Sequence, residues 1–217
     1  MNRSVVIGMN KKHGPNPGHG VVVLNAHGDP EYELLLYAKE YHALAKEAVQ
    51  NLRDDEAFGN SHVDFKSYPI CFLYRHAIEL HLKSFLLAAN PMITIDGHPR
   101  IDVARLRRSH DIDFLREETE RLFDALGWSL DPGLRKFQKR QDFRDGLRWM
   151  SSIDPGSTTF RYPMKTNGER ALVLPKRFNL FLMCEFFDEV LDFFADATYR
   201  AHHVLEDIQE GWAANVP

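Results

Sequence analysis

Apolar residues recur every three or four positions through most of this chain, the period of helices that bury one face. Leu34, Leu35, Ala38, Tyr41, Ala45, Ala48 and Leu52 mark a first helix that runs to about Arg53. It opens at Asp29-Pro30, a capping residue followed by a proline at the first helical position. Asn60–Lys66 is a polar connection, and Tyr68–Ala89 then reads as a helix that is apolar in nearly every direction and stops at Asn90-Pro91. Met92–Ser109 is expected to be a loop. Ser109 or Asp111 caps a third helix built on Ile112, Leu115, Thr119, Leu122 and Leu126, which ends at Gly127. Asp131-Pro132 repeats the cap-plus-proline device and predicts a fourth helix to about Met150. Asp154–Leu174, with Gly156, Pro163 and Gly168, is expected to be extended, with short strands at Phe160–Tyr162 and Ala171–Leu174. A last helix runs from Pro175 to about Gln209 on Phe178, Leu182, Phe186, Leu191 and Phe194.

Residues 1–28 follow another pattern. Two β-branched runs, Ser4–Met9 and Gly20–Asn25, flank a segment rich in Gly, Pro and His, which predicts a hairpin. The expected fold is therefore all-α: an antiparallel helical bundle of about five helices over residues 29–217, with a small N-terminal β appendage over residues 1–28.

The helix at Tyr68–Ala89 carries the main chemical signal. At ~100° per residue, Arg75, His76, Glu79 and Lys83 fall within a ~100° arc of an otherwise apolar cylinder. Buried charges are costly unless paired. The stripe is thus either an ion-pair ladder that fixes helix packing or a cationic pocket. In the pocket, Arg75 and Lys83 would clamp a phosphate or carboxylate, and His76 would move a proton.

A net charge of -4 over 217 residues argues against a bulk polycation but leaves room for a basic face. The fourth helix supplies one in Lys136, Arg140, Arg144 and Arg148, a line that could track RNA phosphates; the last helix is conversely acidic at Glu185, Asp188, Glu189, Asp192 and Asp196. Cys71 and Cys184 sit inside apolar runs and read as buried, reduced thiols. The N-terminal apolar run is too short for a signal peptide, and Leu180–Ala201, the best candidate for a membrane span, is broken by acidic residues. A cytoplasmic protein without a membrane partner is expected. His13, His19 and His27 read as solvated loop histidines, so no metal site is expected. No glycine-rich phosphate loop, GxSxG or HExxH occurs, which removes common nucleotide-binding and hydrolase classes and leaves no cofactor implied.

The run Phe72-Leu73-Tyr74-Arg75-His76-Ala77-Ile78-Glu79-Leu80, then Leu82-Lys83, resembles the core helix of HEPN-type helical bundle proteins. His110-Asp111-Ile112 with Leu115 is similar to their next helix start, and Asp154 to Ser157 followed by Phe160-Arg161-Tyr162-Pro163 is similar to a segment before their final helix. The resemblance covers roughly residues 68–191. It implies a bundle of four to five helices that often dimerises. It also implies a role in RNA cleavage, toxin–antitoxin pairs or phage defence, or a non-catalytic role. The family's catalytic signature, Arg-x4-6-His, has its spacing here at Arg75/His81 and Arg105/His110, no oftener than arginine and histidine content produces by chance. Six helical steps set Arg75 and His81 ~120° apart, so Arg105 and His110 are the catalytic candidates. The chemistry the resemblance implies needs no metal: histidine handles the 2′-hydroxyl proton and arginine stabilises phosphorane charge.

Two functions follow. The first is an RNA- or protein-binding module of a stress or defence system; the second is a metal-independent ribonuclease using Arg105 and His110. Arg161 and Tyr162 are expected to pack back over the core helix, Tyr162 filling a groove while Arg161 pairs with Glu79 or a helix C-terminus. Phe181, Phe187, Phe193 and Phe194 point in several directions from the last helix, which predicts a homodimer; RNA and a cognate protein are the other expected partners.

Overall fold

The computed structural model describes residues 30–54, 60–95, 99–172 and 177–213. They form six helices: α1 (Pro30–Asp54), α2 (Asn60–Ile95), α3 (Val103–Arg108), α4 (Ile112–Ala125), α5 (Arg140–Ile153) and α6 (Leu180–Ala213). The class is all-α. The expected β appendage, residues 1–28, lies outside the described residues. Of the short strands expected within Asp154–Leu174, the described residues make only an isolated antiparallel bridge between Met164 and Arg170.

α2 is the axis of the bundle and packs against α1, α4 and α6. Every residue from Ala77 to Asn90 is buried, which is why the sequence there is apolar all round. The helix overruns its expected stop at Asn90-Pro91 and ends at Ile95. Pro91 removes one N–H from the ladder. Burying Met92 and Ile93 just beyond it offsets that loss. Asn90 Oδ1 accepts a hydrogen bond from the Ile101 N–H at 2.9 Å and so ties down the chain that leads to α3.

α4 forms as its caps dictate. Asp111 Oδ1 accepts from the N–H groups of Asp113 and Phe114, and Gly127 takes the left-handed conformation (φ 63°) that closes the C-terminus. Trp128 N–H donates to Phe123 O at 2.9 Å, completing the cap.

The helix expected from Asp131-Pro132 does not start there. Gly133 is left-handed (φ 67°), its N–H donates to Gln138 O, and Glu189 of α6 accepts from the backbone N–H groups of Lys136 and Phe137 at 2.7 and 2.8 Å. These bonds hold a turn that inserts Phe137 fully into the core, beside Phe143 and Phe193. α5 begins only at Arg140, where Asp142 accepts from Lys139 N–H. Lys136 is therefore not on that helix.

The aromatic surplus of the last helix is absorbed within one chain. Phe187 and Phe194 are buried, Phe194 meets Phe85, Phe123 and Phe143, and Phe193 meets Phe123 and Phe137. Phe181, Phe187, Phe193 and Phe194, the residues that predict a homodimer, thus pack at least in part against the chain's own core. A second buried polar cluster joins α1, α2 and α6, where Asp188 Oδ1 lies 2.8 Å from both His42 Nε2 and Tyr74 Oη. Burial raises the Asp188 carboxyl, but the His42 and Tyr74 hydrogen bonds outweigh it and leave the group below its ordinary value.

Cys71 and Cys184 are both buried, and burial raises both thiols, Cys184 to about 12, so neither is an active nucleophile. Among the described residues no helix is long and apolar enough to cross a membrane.

Candidate functional site

Arg75, Glu79 and Lys83 lie at successive turns of α2, so their side chains stack along one stripe. Glu79 is the hub. Its Oε2 accepts from Arg75 Nη1 at 3.1 Å and its Oε1 accepts from Lys83 Nζ at 2.9 Å, with all three side chains almost entirely shielded from solvent. The α2 stripe alone holds two cations and one anion. The missing negative charge comes from Asp154, just past the end of α5, whose Oδ2 sits 3.3 Å from Arg75 Nε. In the sequence Asp154 opens the segment that runs to Ser157, and nothing local assigns it a partner. The unbalanced charge on α2 was the signal that a second buried carboxylate had to exist.

Asp154 also organises its own loop. Its Oδ1 accepts from the N–H groups of Thr158 and Thr159 at 2.6 and 2.8 Å, and Ser157, just before them, takes a left-handed φ of 56°. Arg75 completes its bonding on backbone, donating to Asp154 O at 3.2 Å and to His110 O at 2.7 Å. Lys83 likewise donates to Arg107 O at 3.3 Å. The cluster therefore grips the α3–α4 corner at two carbonyls.

The same corner carries the one member of the cluster that reaches water. His110 Nδ1 lies 2.8 Å from Glu79 Oε1, and its side chain is 63% exposed. An ionised carboxylate can only accept, so Nδ1 bears the proton and the neutral ring keeps its lone pair on Nε2. Glu79 is ionised: burial raises its carboxyl, but Lys83 and then His110 outweigh that and hold it below the ordinary value. The arrangement is a buried carboxylate orienting an exposed imidazole, as in general acid–base sites. Arg105 projects from the same corner with its guanidinium 4.1 Å from the centre of the Phe114 ring and stays exposed.

Other expected site residues fall elsewhere. His76 leaves the stripe and is held by rings, parallel to Phe72 and edge-on to Tyr41, and burial pushes it below its ordinary value. Arg161 does not pair with Glu79; it donates from Nε to Ser157 O and lies over Phe72 and Tyr162. Tyr162 is exposed rather than seated in a groove on the core helix. His81 is buried with both ring nitrogens lacking a hydrogen-bond partner, and desolvation with His42 nearby lowers it to about 3, so the ring is neutral.

The basic line of the expected fourth helix is largely paired within the chain. Arg144 makes a two-nitrogen contact with Glu120, which also accepts from Arg116 at 2.8 Å. Arg140 binds Asp124, and Lys136 Nζ lies 3.6 Å from Glu185. Arg148, on α5, is the one of the four that is exposed. Glu120 is nearly buried; Arg144 reaches it from α5 and stitches the two helices, while Arg116 braces it within α4. Among the described residues no group of three or more His, Cys, Asp or Glu is placed to hold a metal ion. Comparison with protein-family models finds no match to this chain, and neither does comparison with curated proteins or with solved structures.

Proposed function

We propose that this HEPN-like helical protein acts on RNA through the α3–α4 corner, with His110 as the acid–base group of a ribonuclease. The observation that carries the reading is the 2.8 Å contact between the exposed His110 ring and buried Glu79. A surface histidine gains little stability from one buried bond, because ordering a side chain and desolvating a carboxylate both cost free energy. A held imidazole with Nε2 facing water is, by contrast, what proton abstraction requires.

In the reaction, His110 Nε2 takes the proton of a ribose 2′-hydroxyl, and the 2′-oxygen attacks the adjacent phosphorus. The 5′-oxygen leaves and takes a proton from solvent water, and the His110 imidazolium returns its proton to solvent, giving a 2′,3′-cyclic phosphate and a 5′-hydroxyl. Glu79 stabilises the imidazolium as it forms, and Arg105, exposed on the same corner, is the cation for the phosphorane charge. The test is cleavage of end-labelled single-stranded RNA in EDTA, read as cyclic-phosphate ends. His110→Ala should reduce the rate by roughly 100- to 10,000-fold, the usual contribution of a general acid–base group. Equal rates for the variant and wild type would remove His110 from the mechanism.

A second reading, a non-catalytic binding module, is favoured by the pairing of Arg140 and Arg144 with α4 carboxylates, which takes two charges from the expected RNA track. It predicts RNA or protein binding with no cleavage. Participation in a stress, defence or toxin–antitoxin system belongs to both readings, as do a cytoplasmic location and a homodimer.

A further inference from the structure

A groove of about 1030 Å³ runs beside the first half of α2, closed on its other side by the loop after Asp154. Its volume matches the upper end of small-ligand sites, which span about 300–1,000 Å³. Phe72 lies in its floor. Phe65 and Tyr162 stand at its margins, 77% and 55% exposed. Large aromatic faces turned to water in this way are not core. Among the described residues, the charged ones that line it are Arg161 and Arg170, with no carboxylate.

The loop is built rather than draped. Lys165 N–H donates to Glu169 O, Ala171 N–H donates to Pro163 O, and Gly168 is left-handed (φ 83°), so Met164 and Arg170 are held as a bridged pair. Glu169, the loop's acidic residue, faces Lys165 at 3.5 Å. Arg161 is anchored by Ser157 O and spread over the Phe72 and Tyr162 rings.

Flat π faces with cations and no anion match one ligand chemistry closely. Bases stack on aromatic rings, and phosphates seek guanidinium groups. An apolar peptide would use the rings but would bring no anion to the two arginines. We infer that this groove binds a segment of single-stranded RNA, with bases on Phe65 and Tyr162 and phosphates at Arg161 and Arg170. The inference rests on the proposed function and names its substrate form. The two places share one scaffold: Thr159 of the groove is held by Asp154, Asp154 meets Arg75, and Arg75 holds His110 O.

The experiment is fluorescence anisotropy with labelled 2′-O-methyl oligouridylate and oligoadenylate, which bind but cannot be cleaved through a 2′-hydroxyl. Phe65→Ala and Tyr162→Ala, both at exposed positions, should each weaken binding by roughly 5- to 150-fold. Arg161→Ala with Arg170→Ala should flatten the slope of log affinity against log salt by about 1.4, two contacts at about 0.7 each. His110→Ala should leave binding unchanged. Absence of binding at low salt, or binding indifferent to Phe65 and Tyr162, would overturn the inference. So would displacement of the oligomer by uridine monophosphate at equal concentration, which would mark a mononucleotide pocket. Loss of binding alongside intact, His110-dependent cleavage would sink the groove alone. Groove-dependent binding without cleavage would sink the ribonuclease reading alone.

Discussion

Glu79→Ala removes the carboxylate on which the buried cluster turns. Three groups lose their acceptor at once: Arg75 Nη1 at 3.1 Å, Lys83 Nζ at 2.9 Å and His110 Nδ1 at 2.8 Å. Charge-assisted bonds contribute about 1.5–3 kcal/mol each, but their sum overstates the loss. Arg75 keeps Asp154 and two carbonyls, Lys83 keeps Arg107 O, and His110 can turn to water. What remains is mainly the stranding of Lys83 in a site 6% exposed, so the expected cost is roughly 3–5 kcal/mol. At about 2–4 °C per kcal/mol for a chain of this length, the thermal midpoint should fall by roughly 6–20 °C. Urea denaturation followed by circular dichroism checks the free energy directly. The paired variant Glu79→Leu with Lys83→Met replaces the ion pair by apolar packing and should recover most of the loss. A midpoint for Glu79→Ala within about 0.5 kcal/mol of wild type would refute the hub. Failure of the paired variant to recover anything would place the cost in shape rather than charge.

Further outcomes follow from the same contacts. His81→Leu should stabilise the fold by roughly 1–3 kcal/mol, since both buried ring nitrogens lack partners. His81 is lowered from 6.5 to about 3 in the folded chain, so the unfolded chain takes up the proton first. Stability is therefore full above pH ~6.5 and lost as pH falls towards 3, at up to about 1.4 kcal/mol per unit; parallel urea curves for wild type and His81→Leu across that window would contradict this. Charge reversal at Arg144 should lower the thermal midpoint, because it sets an acidic group against the shielded Glu120; an unchanged midpoint would mean the α4–α5 clamp contributes nothing. Gly127→Ala should cost roughly 1–2 kcal/mol from backbone strain alone, as φ is +63° and no atom lies within 4 Å of an added Cβ; a neutral result in denaturant would refute the left-handed cap.

The charged stripe on α2 was legible because it interrupts an apolar helix, and a buried charge advertises its need of a partner. The partners were not legible. Glu79 and His110 are 31 residues apart and Arg75 lies 79 residues from Asp154, distances over which periodicity carries no information. The start of α5 was misread for a related reason. Asp131-Pro132 has the local form of a helix start, but Glu189, more than fifty residues on, captures the amides of Lys136 and Phe137 and holds the turn open. The basic line at Lys136, Arg140, Arg144 and Arg148 looked solvated because its countercharges sit on α4 and α6. The aromatic faces of α6 look surplus from sequence because Phe137 reaches them from an irregular turn and Phe143 from α5, both some fifty residues away in the chain.

The account turns on how Glu79 holds His110, and long-range proton–nitrogen correlation of the histidine rings measures that directly. For the neutral His110 ring it predicts a protonated Nδ1 and a bare, solvent-facing Nε2, with the preference lost in Glu79→Gln. A protonated Nε2 in the wild-type protein, or a tautomer mixture unmoved by Glu79→Gln, would contradict it.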